Sequence, residues 1–433
     1  MDSNEIFFLK GQENVLSKVI KEDAETDPTE KIREAFSKVL DGKNLSFLLG
    51  CGCSSFTIET EEKGKKIKVD VGIPTMVSLA AEFYKEVLPA TDKTWLKSTL
   101  KLDVEQEKFK NNIENFLGAL HSMYFFYEST GQIVLDTSKQ IKDATVKKVH
   151  EIIKLTRNFL LKKCLNEDNR KSGADKPLID LYKSFYRKLL YRSSNLHKPN
   201  IFTTNYDLYS ELAMDKQGIH YVNGFSGGIM KYFNPTIFNY ALAEKMDLSQ
   251  TKWSVIDNFF YLYKIHGSLN WIQDNEETKL FRVRETQDVA FKSLQESDNI
   301  MIYPTPLKHS ATLGSPYSDL FREFQKKLMQ NNNVLVTIGY SFGDEHINNL
   351  IYQAFTIPSF RLIVIGNPEN SDAVKKLKAL DDPRIWIIGG KLPDGSMLHH
   401  FKGFVERVLP DLSNDEIDRK IENAIKKLFG DNE

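Results

Sequence analysis

The sequence predicts an α/β fold: a parallel sheet with helices on both faces, plus an inserted all-helical module. Three observations carry that prediction. Apolar runs of four or five residues recur at 45–49, 200–203, 261–265, 300–303, 334–338, 361–365 and 385–388, the length of buried strands. Helical stretches at 317–328, 346–355 and 373–380 separate the later runs, as parallel strands joined by helical crossovers require. Between 75 and 194 the apolar period is helical instead.

Taken in order, the segment up to residue 41 is polar and carries a helix at 30–40, with Ile32, Phe36, Val39 and Leu40 on one face. The run 45–49 stops at Gly50. FTIETEEKGKKIKVDV then alternates on either side of Gly64 and reads as a solvated hairpin, with the charge run 61–68 as its tip. Three helical stripes fill the module: Ile113, Phe116, Leu117 and Leu120; Val146, Val149, Ile152, Ile153 and Leu160; Leu178, Leu181, Tyr182, Phe185 and Leu189. NEDNRKSGADKP, 166–177, is its clearest loop. At the end, Ser413 with Glu416 forms a capping box, Ile417, Ile421, Ala424, Ile425 and Leu428 share a face, and Gly430 stops the helix. The expected division is an N-terminal helical segment 1–41, a sheet domain from 42–74 and 195–410, the module 75–194, and an amphipathic helix in 411–433.

Lys plus Arg number 58 and Asp plus Glu 59, so no net field draws the chain to nucleic acid or an acidic membrane. Direct nucleic-acid binding is not expected. The three cysteines, Cys51, Cys53 and Cys164, cannot make a disulfide framework or a four-cysteine zinc site, which fits a reducing compartment. Acids stand at the N-terminus where a signal peptide carries bases, and no apolar run approaches the ~18 residues of a membrane span. The expectation is a soluble cytoplasmic protein.

Four stretches place glycines or polar residues at the carboxyl ends of expected strands, where open α/β sheets bind ligands. They are GCGCSS after Leu49, TTNYD after Phe202, HGS after Ile265 and GYSFGD after Ile338. Gly50 and Gly52 either let backbone N–H groups approach a pyrophosphate or simply end a strand. A Cys-x-Cys metal or redox reading lacks partner ligands. Asn205 and Asp207 either serve a site or cap the helix that begins near Leu208. His266 suits general-base work near neutrality, the alternative being a satisfied core histidine. Asp344 and His346 either contact a cofactor or cap the next helix.

With those stretches in this order, the chain resembles the sirtuin (Sir2) family, most closely the bacterial SIR2-like branch associated with NAD depletion in anti-phage defence. GCGCS corresponds to the family's Gly-Ala-Gly-x-Ser phosphate loop, with Cys51 in the alanine place, and Gly72-Ile73-Pro74 to the Gly-Ile-Pro that follows. TTNYD corresponds to Thr-Gln-Asn-x-Asp, with Thr204 in the glutamine place, and His266-Gly267 to the catalytic His-Gly. Gly339-Tyr340-Ser341 stands where the family has Gly-Thr-Ser, and Asn367 where it has a ribose-contacting Asn. The resemblance covers 42–74 and 198–390.

The resemblance implies a Rossmann-like parallel sheet that binds NAD through Gly50, Cys51, Gly52, Ser54, Thr204, Asp207, Gly339, Ser341 and Asn367. Among these, Gly50, Gly52 and Ser54 would hold phosphates, Asp207 with Asn205 would line the nicotinamide-ribose pocket, and Ser341 and Asn367 would touch the adenosine half. Asn205 and His266 are the implied catalytic pair for breaking the nicotinamide glycosidic bond. Sirtuin deacylases carry a zinc module built on two Cys-x-x-Cys pairs, which this chain lacks, so no zinc is expected and the acyl-lysine groove is in doubt. In its place stands LNWIQDNEETKLFRVRE, expected as a hairpin. The reading is an NAD⁺ glycohydrolase acting as a regulated defence effector. A protein deacylase, or a non-catalytic NAD- or ADP-ribose-binding subunit, is the alternative. The implied partners are copies of the chain itself in a homo-oligomer and a HerA-type ATPase or other defence component.

Overall fold

The computed structural model describes residues 5–17, 27–62, 65–131, 143–193, 195–245, 253–256, 258–273, 283–295, 299–301 and 315–411. The expected C-terminal helix, the hairpin tip at Gly64 and Tyr303 lie outside them. The chain opens with β1 (Phe7–Lys10), β2 (Glu13–Asn14), α1 (Pro28–Leu40), β3 (Asn44–Leu49) and the hairpin β4 (Ser55–Glu62) and β5 (Lys65–Gly72). The module follows as α2 (Met76–Glu82), α3 (Ala90–Thr99), α4 (Ile113–Ser129), α5 (Ala144–Leu165) and α6 (Glu167–Ser172), then α7 (Lys176–Leu190). Next come β6 (Asn200–Thr203), α8 (Tyr209–Asp215), β7 (His220–Val222), β8 (Phe225–Ser226), β9 (Lys231–Phe233), β10 (Ala243–Lys245), β11 (Trp253–Val255) and β12 (Phe259–Lys264). The last part holds β13 (Gly267–Gln273), β14 (Val283–Glu285), β15 (Asn299–Met301), α9 (Tyr317–Leu328), β16 (Asn333–Ile338), α10 (Glu345–Ala354), β17 (Arg361–Ile365), α11 (Asp372–Ala379) and β18 (Ile385–Gly389).

Nine strands form the central sheet in the order β2-β1-β18-β17-β16-β3-β6-β12-β7. From β18 to β7 every pairing is parallel. Alternation within each strand sends side chains to two cores: Val334, Val336 and Ile338 of β16 join one, Leu335 the other. Helices α1 and α7 cover the first face, α9, α10 and α11 the second. The α/β class with helices on both faces is therefore observed. The chain passes from β3 to β6 on one side and returns to β16 on the other, so the switch point of the sheet lies between β3 and β16.

Four expectations change. The 1–41 segment is not helical alone: Phe8 and Leu9 of β1 are buried on opposite faces and β1 adds antiparallel to β18. Ile300 and Met301, the described part of the run at 300–303, are not in the central sheet; β15 pairs antiparallel with β13 in a separate five-stranded sheet, β15-β13-β14-β9-β8. The loop 166–177 contains α6, which buries no residue and so shows no apolar period. Finally, α7 belongs to the sheet, not to the module: Leu178, Tyr182 and Phe185 join the core of Phe47 and Ile201, with the Phe47 and Phe185 rings 5.4 Å apart. The module's own core runs from Leu79 to Leu165 and takes in Leu269, Ile272 and Leu294.

Candidate functional site

Loops leaving β3, β6, β12 and β16 meet at the carboxyl edge of the sheet, beside the switch point. A cavity of about 380 Å³ lies there, lined by Cys51, Ser54, Thr204, Asn205, Asp207, His266, Gly339, Ser341 and Asp344 from these loops. The opposing wall comes from the module: Asn112, Glu114 and Asn115 at the start of α4, and Leu160 and Cys164 of α5. The structure thus brings together most of the residues that the strand ends suggested. Gly50, Gly52 and Asn367 do not line the cavity among the described residues. Asn367 uses its side-chain oxygen locally, accepting from Glu369 N at 3.0 Å.

The glycines after β3 have a definite packing reason. A Cβ on Gly50 would fall 2.4 Å from the Gly339 carbonyl oxygen, and one on Gly52 would fall 2.8 Å from Gly339 Cα. Gly339 itself has φ +61°, with Cys53 N 2.7 Å from where its Cβ would stand. These glycines let the β3 and β16 exit loops touch backbone to backbone. Approach to a ligand is not what demands them. The contact also consumes donors: Gly50 N bonds Ile338 O at 2.9 Å, Gly52 N bonds Gly339 O at 3.0 Å, and Cys53 N and Ser54 N close the turn onto Gly50 O and Cys51 O.

Beneath the cavity the polar side chains form one network. Asn205 Nδ2 donates to Gly50 O at 2.9 Å and to Ser54 Oγ at 2.8 Å. Ser54 Oγ donates to Asp207 Oδ2 at 2.5 Å, and Asp207 Oδ1 accepts from Tyr209 N at 3.1 Å. Asn205 therefore has both amide hydrogens committed to the loop, and Oδ1 is the atom it can offer a substrate. Ser54 and Asp207 act as pins between the β3 and β6 loops, so the phosphate role that the resemblance gives Ser54 finds its hydroxyl already engaged. Below them Lys264, 2% exposed, donates to the Asp207 carbonyl and pairs with Glu211, 8% exposed, at 2.9 Å. Burial raises the Glu211 carboxyl while Lys264 opposes it.

His266 sits at the end of β12 with Nε2 3.0 Å from Asp344 Oδ2. Asp344 is also the N-cap of α10, its Oδ1 accepting from His346 N at 2.9 Å and Ile347 N at 3.3 Å. The two readings of Asp344 meet in one carboxylate: one oxygen caps, the other orients the histidine. With Nε2–H donated to Asp344, a neutral imidazole carries its lone pair on Nδ1. The loop that presents Asp344 is held in an unusual shape. Phe342 has φ +57°, and Asn348 fixes it by donating Nδ2 to Phe342 O at 2.8 Å and accepting the Tyr340 hydroxyl at 3.0 Å.

Sequence reasoning missed the module wall. Glu114 is a partly buried carboxylate in the first turn of α4, and only the fold brings it near the β3 exit. It acts on both cavity thiols. Cys51 is exposed as a residue, yet its thiol is hemmed in enough that desolvation first, then the Glu114 charge, raise its pKa. Burial foremost pushes Cys164 up to about 12, with Asp207 and Glu114 adding to it. Neither thiol is activated. Among the described residues no group of three or more His, Cys, Asp or Glu could hold a metal ion, and no helix is long and apolar enough to cross a membrane.

Residues 199–379 match the family model of the SIR2-like domain. That span runs from β6 to α11 and includes Asn205, His266, Ser341 and Asn367 but not the β3 exit. The match supports a place in the Sir2 superfamily and an NAD-related function. No curated protein matches the chain.

Proposed function

We propose that this chain is an NAD⁺ glycohydrolase that releases nicotinamide and ADP-ribose, acting as a regulated effector of anti-phage defence. The observation that carries the reading is the pairing of Asn205 and His266 on one cavity inside the segment that matches the SIR2-like model, with His266 oriented by a carboxylate. A protein that only bound the dinucleotide would need no oriented base. The cavity has the size of a small-molecule site, and nicotinamide with its ribose suits it. Cys51 and Ser341 also line the cavity, and the phosphates and then the adenosine half would follow on that side.

The reaction breaks the bond between the ribose anomeric carbon and the nicotinamide nitrogen, whose electron pair leaves with nicotinamide while water supplies the new C–O bond. Asn205 Oδ1 accepts a hydrogen bond from the attacking water or a ribose hydroxyl and fixes its direction. His266 Nδ1 takes the proton released, and the Asp344 carboxylate stabilises the imidazolium that results. Alignment by Asn205 and proton transfer to His266 are the two contributions asked of the protein. The module wall of Asn112, Glu114, Leu160 and Cys164 would limit the entry of bulk water. Homo-oligomers and a partner such as a HerA-type ATPase complete the proposal, with the module as the surface on which they would act.

The test is incubation of the purified chain with NAD⁺, with and without an acetylated peptide, quantifying nicotinamide, ADP-ribose and O-acetyl-ADP-ribose. Nicotinamide and ADP-ribose are expected without peptide. Release that strictly requires the peptide would overturn the hydrolase in favour of the deacylase. His266→Ala and Asn205→Ala should each abolish release while the protein stays folded.

A further inference from the structure

Lysine is rarely buried unless a partner answers its charge, and Lys264 closes a strand, FFYLYK, whose other residues are apolar or aromatic and nearly all buried. A buried ion pair adds little stability compared with apolar side chains of similar volume. What this one does to the geometry is therefore the better guide to its use.

The ammonium has three hydrogens and meets three acceptors: Tyr206 O at 3.3 Å, Asp207 O, and Glu211 Oε1 at 2.9 Å in the first turn of α8. Two of these are main-chain oxygens of the residues that directly follow Asn205. On its own strand Lys264 stands two residues before His266. The chain leaves the central sheet at Lys264, turns through Ile265 and His266, and enters β13 at Gly267, which takes φ +88°.

The far side of that turn is held to the same loop. Leu269 N, three residues past His266, donates to Tyr206 O at 3.1 Å, and Ile265 N donates to Thr203 O at 2.9 Å. Bonds from both flanks of His266 thus converge on the segment that carries Asn205. The backbone bonds join main chain to main chain, and Lys264 adds a side-chain tie that continues through Glu211 into α8.

We propose that Lys264 is a positioning residue for nicotinamide release, setting the distance between Asn205 and His266 without touching the substrate. The inference rests on the hydrolase reading above. Lys264 is buried and, among the described residues, is not part of the cavity lining. What it supplies is the placement of the amide that aligns the water relative to the imidazole that takes its proton, and displacing such groups by about 1 Å costs about a hundredfold in rate.

The experiment separates position from stability by removing both charges together. In Lys264→Met/Glu211→Leu apolar side chains of similar volume replace the pair, so the urea midpoint should stay near that of the wild type or rise. The ties to Tyr206 O and Asp207 O are nevertheless gone. Steady-state nicotinamide release by the full chain should fall about tenfold to a hundredfold in kcat, while KM and the calorimetric Kd for ADP-ribose stay within about threefold of wild type. Glu211→Gln gives the converse: it weakens the pair and lowers the midpoint but leaves the lysine donating to both carbonyls, so kcat per folded molecule should stay within about threefold of wild type. A folded double variant with kcat within about threefold of wild type would overturn the inference, and so would a loss that appears in KM and ADP-ribose affinity instead of kcat. A kcat loss of about tenfold in folded Glu211→Gln would overturn it as well, and that variant decides the matter if the double variant does not fold. A wild type that releases no nicotinamide would sink the hydrolase reading and this inference with it, an outcome distinct from an active wild type whose double variant is equally active.

Discussion

Asp344→Asn separates the two duties of this residue. Asparagine is as good an N-cap as aspartate, so the oxygen that accepts from His346 N and Ile347 N is retained and stability should change by less than about 1 kcal/mol. The atom facing His266 Nε2, now 3.0 Å from a carboxylate oxygen, becomes an amide NH₂. A donor there forces Nε2 to accept, which moves the ring hydrogen to Nδ1 and removes the lone pair assigned to proton transfer. Loss of a general base costs about 10²- to 10⁴-fold, and loss of the stabilising charge works in the same direction. We expect nicotinamide release to fall by about that factor with the urea midpoint nearly unchanged. Asp344→Ala should also lose the cap, at about 0.5–2 kcal/mol. Single-turnover nicotinamide release by the folded Asp344→Asn variant, read beside the denaturation curve, decides the matter. Release within about threefold of wild type would refute the proton-transfer assignment.

Gly52→Ala drives a Cβ to 2.8 Å from Gly339 Cα, backbone against backbone, and should cost about 1–3 kcal/mol in chemical denaturation; an unchanged midpoint would show that the two exit loops are not in contact. Glu114→Gln removes a charge that disfavours the Cys51 thiolate, so below the thiol pKa the thiolate fraction rises; iodoacetamide should label Cys51 about two- to threefold faster, with Cys53 silent because it is buried and Cys164 silent because its thiol is pushed up to about 12, and an unaltered rate would remove Glu114 from the cavity wall. Lys264→Met leaves Glu211 buried without its cation and should cost about 3–5 kcal/mol. Glu211 then keeps its proton in the folded state above the unfolded value of about 4.3, so the folded state binds more protons and stability falls as pH rises through that window. The variant should lose more at pH 8 than at pH 5, and equal losses would contradict the burial argument.

What was legible in the sequence was whatever repeats with a period or ends a strand. The strands β3, β16, β17 and β18 announce themselves because both of their faces are buried, leaving near-continuous apolar runs. The four strand ends that meet at the cavity were visible as glycine and polar punctuation. Phe7–Lys10 was not, because a four-residue strand preceded and followed by polar chain has no second period to confirm it. Glu114 was invisible for a different reason. In the sequence it is an ordinary acid in the first turn of a helix, where the dipole favours one anyway, and only the docking of α4 against the β3 exit gives it a neighbour in Cys51. The double duty of Asp344 was half visible: a cap can be read from spacing, but a partner 78 residues away cannot.

The cavity sits between two kinds of wall, and the difference bears on control. On the sheet side, Asn205, Ser54 and Asp207 are tied to one another and to Gly50 by hydrogen bonds that link the exits of β3 and β6, beside the backbone contact of Gly52 with Gly339. Moving any of these means breaking buried polar pairs, each left unsatisfied at about 1–3 kcal/mol. On the module side the lining belongs to a separate core, and Cys164 is one of the few side chains that packs against both that core and the core of the sheet. Tyr206, whose ring lies 6.4 Å from that of His266, plays the same part toward the opposite face. Displacing the module therefore costs mainly apolar contact at a seam, and that seam runs through the cavity. A partner acting on the module would change the shape and access of the site before it disturbed Asn205 or the bond between His266 and Asp344. Control of access, with chemistry left preassembled on the sheet, is the form of regulation this construction favours.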